Sequence, residues 1–105
     1  MAAPYNPPIK GEDFVIYIAL ENLSVPGSFK VNPTIAAGDF KVKKDAGAPT
    51  NLTTLPAVDA AGEIWLKITL SATEMNADVV CIQGIDQTAT KEWADFGLAI
   101  PTTSS

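Results

Sequence analysis

Few side chains in this sequence carry the chemistry that catalysis needs, and they are scattered. The only thiol is Cys81, in the apolar run Val79-Val80-Cys81-Ile82. A nucleophilic cysteine needs a base or an exposed, electropositive setting. The chain has no His, so Cys81 reads as a buried structural thiol. One cysteine cannot form an intrachain disulfide or a thiolate zinc site. Carboxylates stand close together in Glu12-Asp13, Glu74/Asp78 and Glu92/Asp95. Such pairs can hydrolyse glycosides when one of them has a raised pKa in a cleft. They can hold calcium when spaced as in a D-x-D-x-D-G loop. That spacing is absent, and a chain of 105 residues leaves little room for a cleft. The pairs read as solvated surface charge, with a structural cation as the alternative. No catalytic residue, metal ligand or cofactor is expected, and the protein is expected not to be an enzyme.

The basic residues exclude a second class. All seven are Lys, the net charge is −5, and the one basic cluster, Lys41, Lys43 and Lys44, has no aromatics among its lysines. Nucleic-acid readers rely on dense positive charge and on the bidentate guanidinium. No nucleic-acid partner is expected, and the cluster reads as the solvent face of a strand, guarding a sheet edge. The longest apolar stretch, Phe14 to Leu20, is seven residues, far short of the roughly 18 needed to span a membrane. No basic segment precedes an apolar one at the N-terminus, so no signal peptide is expected. The sequons at Asn22 and Asn51 then read as chance matches.

Two features suit binding instead. Residues 1–12 form a Pro-rich N-terminal arm, in which Pro4, Pro7 and Pro8 favour extended polyproline geometry and Tyr5 offers an apolar contact. Proline lowers the entropy lost on ordering, so such an arm can lie along a neighbouring subunit at low cost. Trp65 falls out of phase with Ile64, Leu66 and Ile68. It either packs in a second apolar layer or stands exposed as an interface anchor, a role in which aromatics are enriched. Pro4, Tyr5, Pro7, Pro8 and Trp65 are the candidate partner-binding residues.

The elements that must position these residues are strands. About seven strand-like segments are present: Asp13–Leu20, Ser28–Val31, Asp39–Lys44, Thr50–Thr54, Glu63–Leu70, Val79–Gln83 and Trp93–Ile100. The first is apolar in both phases, which suits a central or doubly covered strand. All eight prolines fall outside these segments, as expected of residues that cannot donate to a ladder. Asp45-Ala46-Gly47 is a turn signal. Ser71-Ala72-Thr73-Glu74 is a capping-box pattern with room for one turn only. Short strands at this spacing predict an all-β sandwich or barrel over residues 13–100, with 101–105 as a polar tail.

The stretch LKITLSATEMNADVVCI has the rhythm of the end of an immunoglobulin-like domain. It lacks the first Cys of that family's pair, since Cys81 is alone, and the tyrosine two residues before the Cys, where Val79 stands. The whole chain resembles small proteins encoded in tailed-phage and prophage structural gene clusters. The likeness is carried by Pro8-Ile9-Lys10-Gly11-Glu12-Asp13-Phe14, by Asn32 to Val42 (NPTIAAGDFKV), by Asn51 to Pro56 (NLTTLP) and by Thr69 to Asp78 (TLSATEMNAD). The resemblance implies an immunoglobulin-like β-sandwich of about seven antiparallel strands with an extended N-terminal arm. It also implies a non-enzymatic virion protein, made in the host cytoplasm. The expected function is capsid decoration. The partner would be the major capsid protein or another virion protein, and the chain would form a homo-oligomer in the particle. The alternatives are a tail, baseplate or fibre-attachment module and, from another class, a carbohydrate-binding adhesion domain.

Overall fold

The computed structural model describes residues 7–104. In chain order the strands are β1 (Phe14–Ala19), β2 (Phe40–Lys44), β3 (Thr50–Asn51), β4 (Ala57–Val58), β5 (Trp65–Leu70), β6 (Val79–Gly84) and β7 (Phe96–Pro101). All pairings between them are antiparallel. They make one sheet of order β1-β5-β4 and a second of order β3-β2-β6-β7. The described residues contain no helix. The protein is therefore an all-β sandwich of seven strands.

The two-residue period of the strands builds the core. Leu66, Ile68 and Leu70 point inward from β5, and Val80 and Ile82 point inward from β6, all essentially without exposure. Ile18 of β1, Phe40 and Val42 of β2 and Ile100 of β7 join them in one cluster, with Leu20, Met75 and Ala77 from the connections. Trp93 is fully buried in it. Its indole Nε1 donates to the Thr34 carbonyl at 3.3 Å, and its ring lies 5.4 Å from that of Phe40. A buried indole needs such an acceptor.

The β5–β6 connection follows the capping-box pattern closely. Ser71 N–H donates to Glu74 Oε1 at 2.9 Å, and Glu74 N–H donates back to Ser71 Oγ at 3.2 Å. A single Met75 N–H to Ser71 carbonyl bond of 2.9 Å closes the turn. Glu74 is buried, not solvated, because its second oxygen accepts Thr53 N–H at 2.8 Å. At the turn after β2, Asp45 has φ +50° and its carboxylate accepts the N–H groups of Asp78 and Val79. Asp is among the few side chains that tolerate that backbone region.

Several expectations need correction. β1 is an edge strand of its sheet, covered on one face only. The segment Ser28–Val31 forms no strand; Phe29 makes one isolated bridge to Glu21. Trp93 also stands outside β7, in a bridge to Asn22. Ala57–Val58 pairs with β5, although two residues carry no readable period. Pro101 is the last residue of β7. It fits there because, among the described residues, β7 pairs with β6 on one side only, and a proline at an edge can turn its missing donor outward.

Candidate interaction face

The outward residues of the three-stranded sheet form the most distinctive surface. On β1 these are Val15, Tyr17 and Ala19. Opposite them on β5 stand Thr69, Lys67 and Trp65, in the pairs Val15↔Thr69, Tyr17↔Lys67 and Ala19↔Trp65. Register partners in an antiparallel pair share a face. Val15, Tyr17 and Trp65 are 42%, 45% and 51% exposed, so this face is apolar and open to solvent. Tyr17 and Trp65 are diagonal neighbours across the ladder, a separation of about 7–8 Å that large aromatic side chains bridge. Phe29, 54% exposed, is the bridge partner of Glu21, which continues the outward phase of β1.

Polar groups rim the aromatics. The Tyr17 hydroxyl donates to Asp59 Oδ2 at 2.7 Å. This bond raises the phenol above its ordinary pKa of 10.0, assisted by desolvation and by the negative charges of Asp59 and Glu63. Apolar residues ringed by polar ones are the pattern of a binding patch.

The structure settles the two readings of Trp65 in favour of exposure. Val15 and Tyr17 were hidden by the expectation that β1 is covered on both faces. The signal lay in the sequence: two apolar phases on β1 beside a Trp in the outward phase of β5.

Of the arm residues, the described Pro7 and Pro8 do not join this face. Pro7 and Pro8 are half-buried, and the Pro8 carbonyl accepts Thr103 N–H at 2.9 Å, next to the end of β7 in the other sheet. Pro4 and Tyr5 lie outside the described residues.

The remaining chemistry-bearing side chains are mostly structural. Cys81 is half-exposed, not buried, because β6 turns Val80 and Ile82 inward and Cys81 outward. Lys43 and Lys44 are solvent-facing as expected, at the end of β2 beyond Lys41 and Val42, the two residues that pair with β3. Asp39 and Asp86 are buried carboxylates that the sequence reading missed. Asp39 accepts the N–H groups of Ala36 and Gln87, and Asp86 accepts those of Thr88 and Glu92 together with the Thr88 hydroxyl. Burial acts to raise the Asp86 pKa, but hydrogen bonds from Glu92 and Thr88, aided by Lys91, bring it below its ordinary 3.8. Asp78 pairs with Lys10, and Asp95 with Lys91. Among the described residues no cluster of three or more His, Cys, Asp or Glu is arranged to hold a metal ion. Comparison with protein families, with curated proteins and with solved structures found nothing similar to this chain.

Proposed function

We propose that the protein is a non-enzymatic structural component of a tailed-phage virion, a decoration protein that binds the outer capsid surface. The observation that carries this reading is the open face of Val15, Tyr17 and Trp65 on a small sandwich. Aromatics on a flat sheet supply contact area at little entropic cost, which suits docking onto a large partner surface better than enclosing a small substrate. What supports the immunoglobulin-like reading is the arrangement in two antiparallel sheets, β1-β5-β4 and β3-β2-β6-β7, with the last two strands paired at one edge.

Binding to an assembled lattice and not to free subunits stabilises the lattice by RT ln(1 + [L]/Kd) at each site. The partner is then the major capsid protein, and copies of this chain would gather around symmetry axes. The test is co-sedimentation with purified capsids that lack the protein. The native chain should pellet with them in near-stoichiometric amount, and Trp65→Ala with Tyr17→Ala should stay in the supernatant. Equal pelleting of both would overturn the role of this face. Binding to isolated tails but not to capsids would favour the attachment-module reading. Binding to a glycan array, lost in Trp65→Ala, would favour adhesion.

A further inference from the structure

The two outer faces of the sandwich differ in charge. Lys41 and Lys43 point outward from β2 on the four-stranded sheet, alternating with buried Phe40 and Val42. On the three-stranded sheet Lys67 is the only charged residue within a strand, and carboxylates gather at one end. Ala19 ends β1, Val58 ends β4 and Trp65 begins β5, so the three meet at that end. Ala19 stands opposite Trp65, and Val58 opposite Leu66. The same register, continued, places Asp59 beside Trp65 and Glu21 beside Glu63 in the next row. The half-exposed Trp65 thus stands among three carboxylates, with Lys67 one row back, opposite Tyr17.

Two observations put Asp59 and Glu63 on the outer side, with the rings. Tyr17 points outward and its hydroxyl donates to Asp59 Oδ2 at 2.7 Å. That bond, then desolvation and the negative charges of Asp59 and Glu63, raise the phenol. Neither carboxylate is in an ion pair among the described residues, whose two salt bridges are Lys10–Asp78 and Lys91–Asp95. An uncompensated negative rim beside an open indole favours a cation at that place.

We propose that the partner of this face presents an arginine to it, with the guanidinium stacked on the Trp65 indole and Asp59 and Glu63 at its edge. The inference rests on the reading of this face as a docking surface and adds the chemistry of what docks there. A guanidinium is planar and weakly hydrated, so it can lie on a ring while its N–H groups reach carboxylates. A lysine ammonium is a compact, strongly hydrated point charge and loses more on leaving water. This chain has no Arg. A second copy therefore cannot supply the group, and the occupant is a different protein with a basic surface. The acidic rim also steers such a surface toward the face, an effect that salt screens.

The test uses the full chain. Trp93 is fully buried, so collisional quenchers report on Trp65. The ratio of caesium to iodide quenching should fall about twofold in Asp59→Asn with Glu63→Gln, because the local potential sets the ion concentration at the ring. Asp59→Asn keeps an acceptor for the Tyr17 hydroxyl. Glu12→Gln with Asp95→Asn removes as much charge away from this end of the sheet and should hardly change the ratio. An oligoarginine peptide, followed by Trp65 emission, should bind the native chain severalfold more tightly than it binds the Asp59→Asn, Glu63→Gln variant. It should also bind severalfold more tightly than oligolysine. Equal quenching ratios in the two variants, or peptide binding indifferent to Asp59 and Glu63, would overturn the proposal. Equal binding of oligolysine would overturn the choice of arginine.

In co-sedimentation with capsids, the Asp59→Asn, Glu63→Gln variant should bind severalfold more weakly, and native binding should fall as salt is added. Capsid binding indifferent to both would overturn the arginine contact and leave the virion reading standing. No capsid binding, beside peptide binding that needs Asp59 and Glu63, would overturn the virion reading alone. A dimeric mass that the same variant abolishes would assign the rim to lysines of a second copy and overturn the choice of partner.

Discussion

Gly84 is a position where one absent side chain sets the packing of its neighbours. In register it stands between Phe40 of β2 and Phe96 of β7. A Cβ placed there would lie 2.7 Å from Phe40 Cζ, and that ring is buried against Trp93. The buried ring must shift to admit a methyl group, so Gly84→Ala should destabilise by about 1–3 kcal/mol, the usual range for overpacking a core. Urea denaturation measures this, and an unchanged midpoint would mean that the ring yields. Gly97→Ala, where an added Cβ meets nothing within 4 Å among the described residues, is the control and should change stability by no more than about 0.5 kcal/mol. Asp86 makes a pH prediction. Its folded pKa lies below 3.8 despite burial, because Glu92 and Thr88 hydrogen-bond the ionised form. Its contribution is therefore fully present above the unfolded value of 3.8 and is lost as pH falls through the lower folded value. In Asp86→Asn, denaturation midpoints compared at neutral pH and well below pH 3.8 should differ less than in the native chain. An equal acid loss in both would exclude Asp86 as a source.

At the scale of elements, legibility tracked length and phase. β5 was plain because six residues alternate between Trp65, Lys67 and Thr69 outward and three fully buried partners inward. The turn at Ser71–Glu74 was plain because its two side-chain bonds are local, three residues apart. β4 was not, since Ala57–Val58 is a strand only through its pairing with Lys67 and Leu66. Ser28–Val31 misled for the opposite reason. Phe29 and Val31 look like strand residues, but they are 54% and 46% exposed and bury little against any sheet. The covering of β1 was the costliest misreading. An apolar outer phase is consistent with a second covering layer or with an uncovered face, and only the sheet order distinguishes them. Of the candidate site, Trp65 was legible as a residue, while its companions Val15 and Tyr17 depended on knowing that β1 is an edge strand beside β5. Cys81 shows the same limit. A β-strand buries alternate residues, and its apolar neighbours on both sides concealed which phase it occupied.

For the whole molecule, the sandwich separates what holds it together from what it presents. The two roles meet at consecutive residues of β5, where Trp65 is 51% exposed and Leu66 is completely buried. Leu66→Ala would leave a cavity between the sheets and should cost about 2–5 kcal/mol. That is a large part of the roughly 5–15 kcal/mol that stabilises a domain of this kind. Trp65→Ala removes contacts only on the outer face and should change stability by no more than about 0.5–1 kcal/mol. If the three-stranded sheet is the docking face, the order reverses for binding. Leu66→Ala, assayed at a temperature where it remains folded, should still co-sediment with capsids, because the outward residues of β1 and β5 are untouched. Trp65→Ala should fail to bind although its unfolding transition is nearly native. Circular dichroism melts beside the sedimentation assay test both halves in the same samples. Joint loss of stability and binding in Trp65→Ala would place that residue in the core. Loss of binding in folded Leu66→Ala with retention in Trp65→Ala would move the interface to another face of the sandwich.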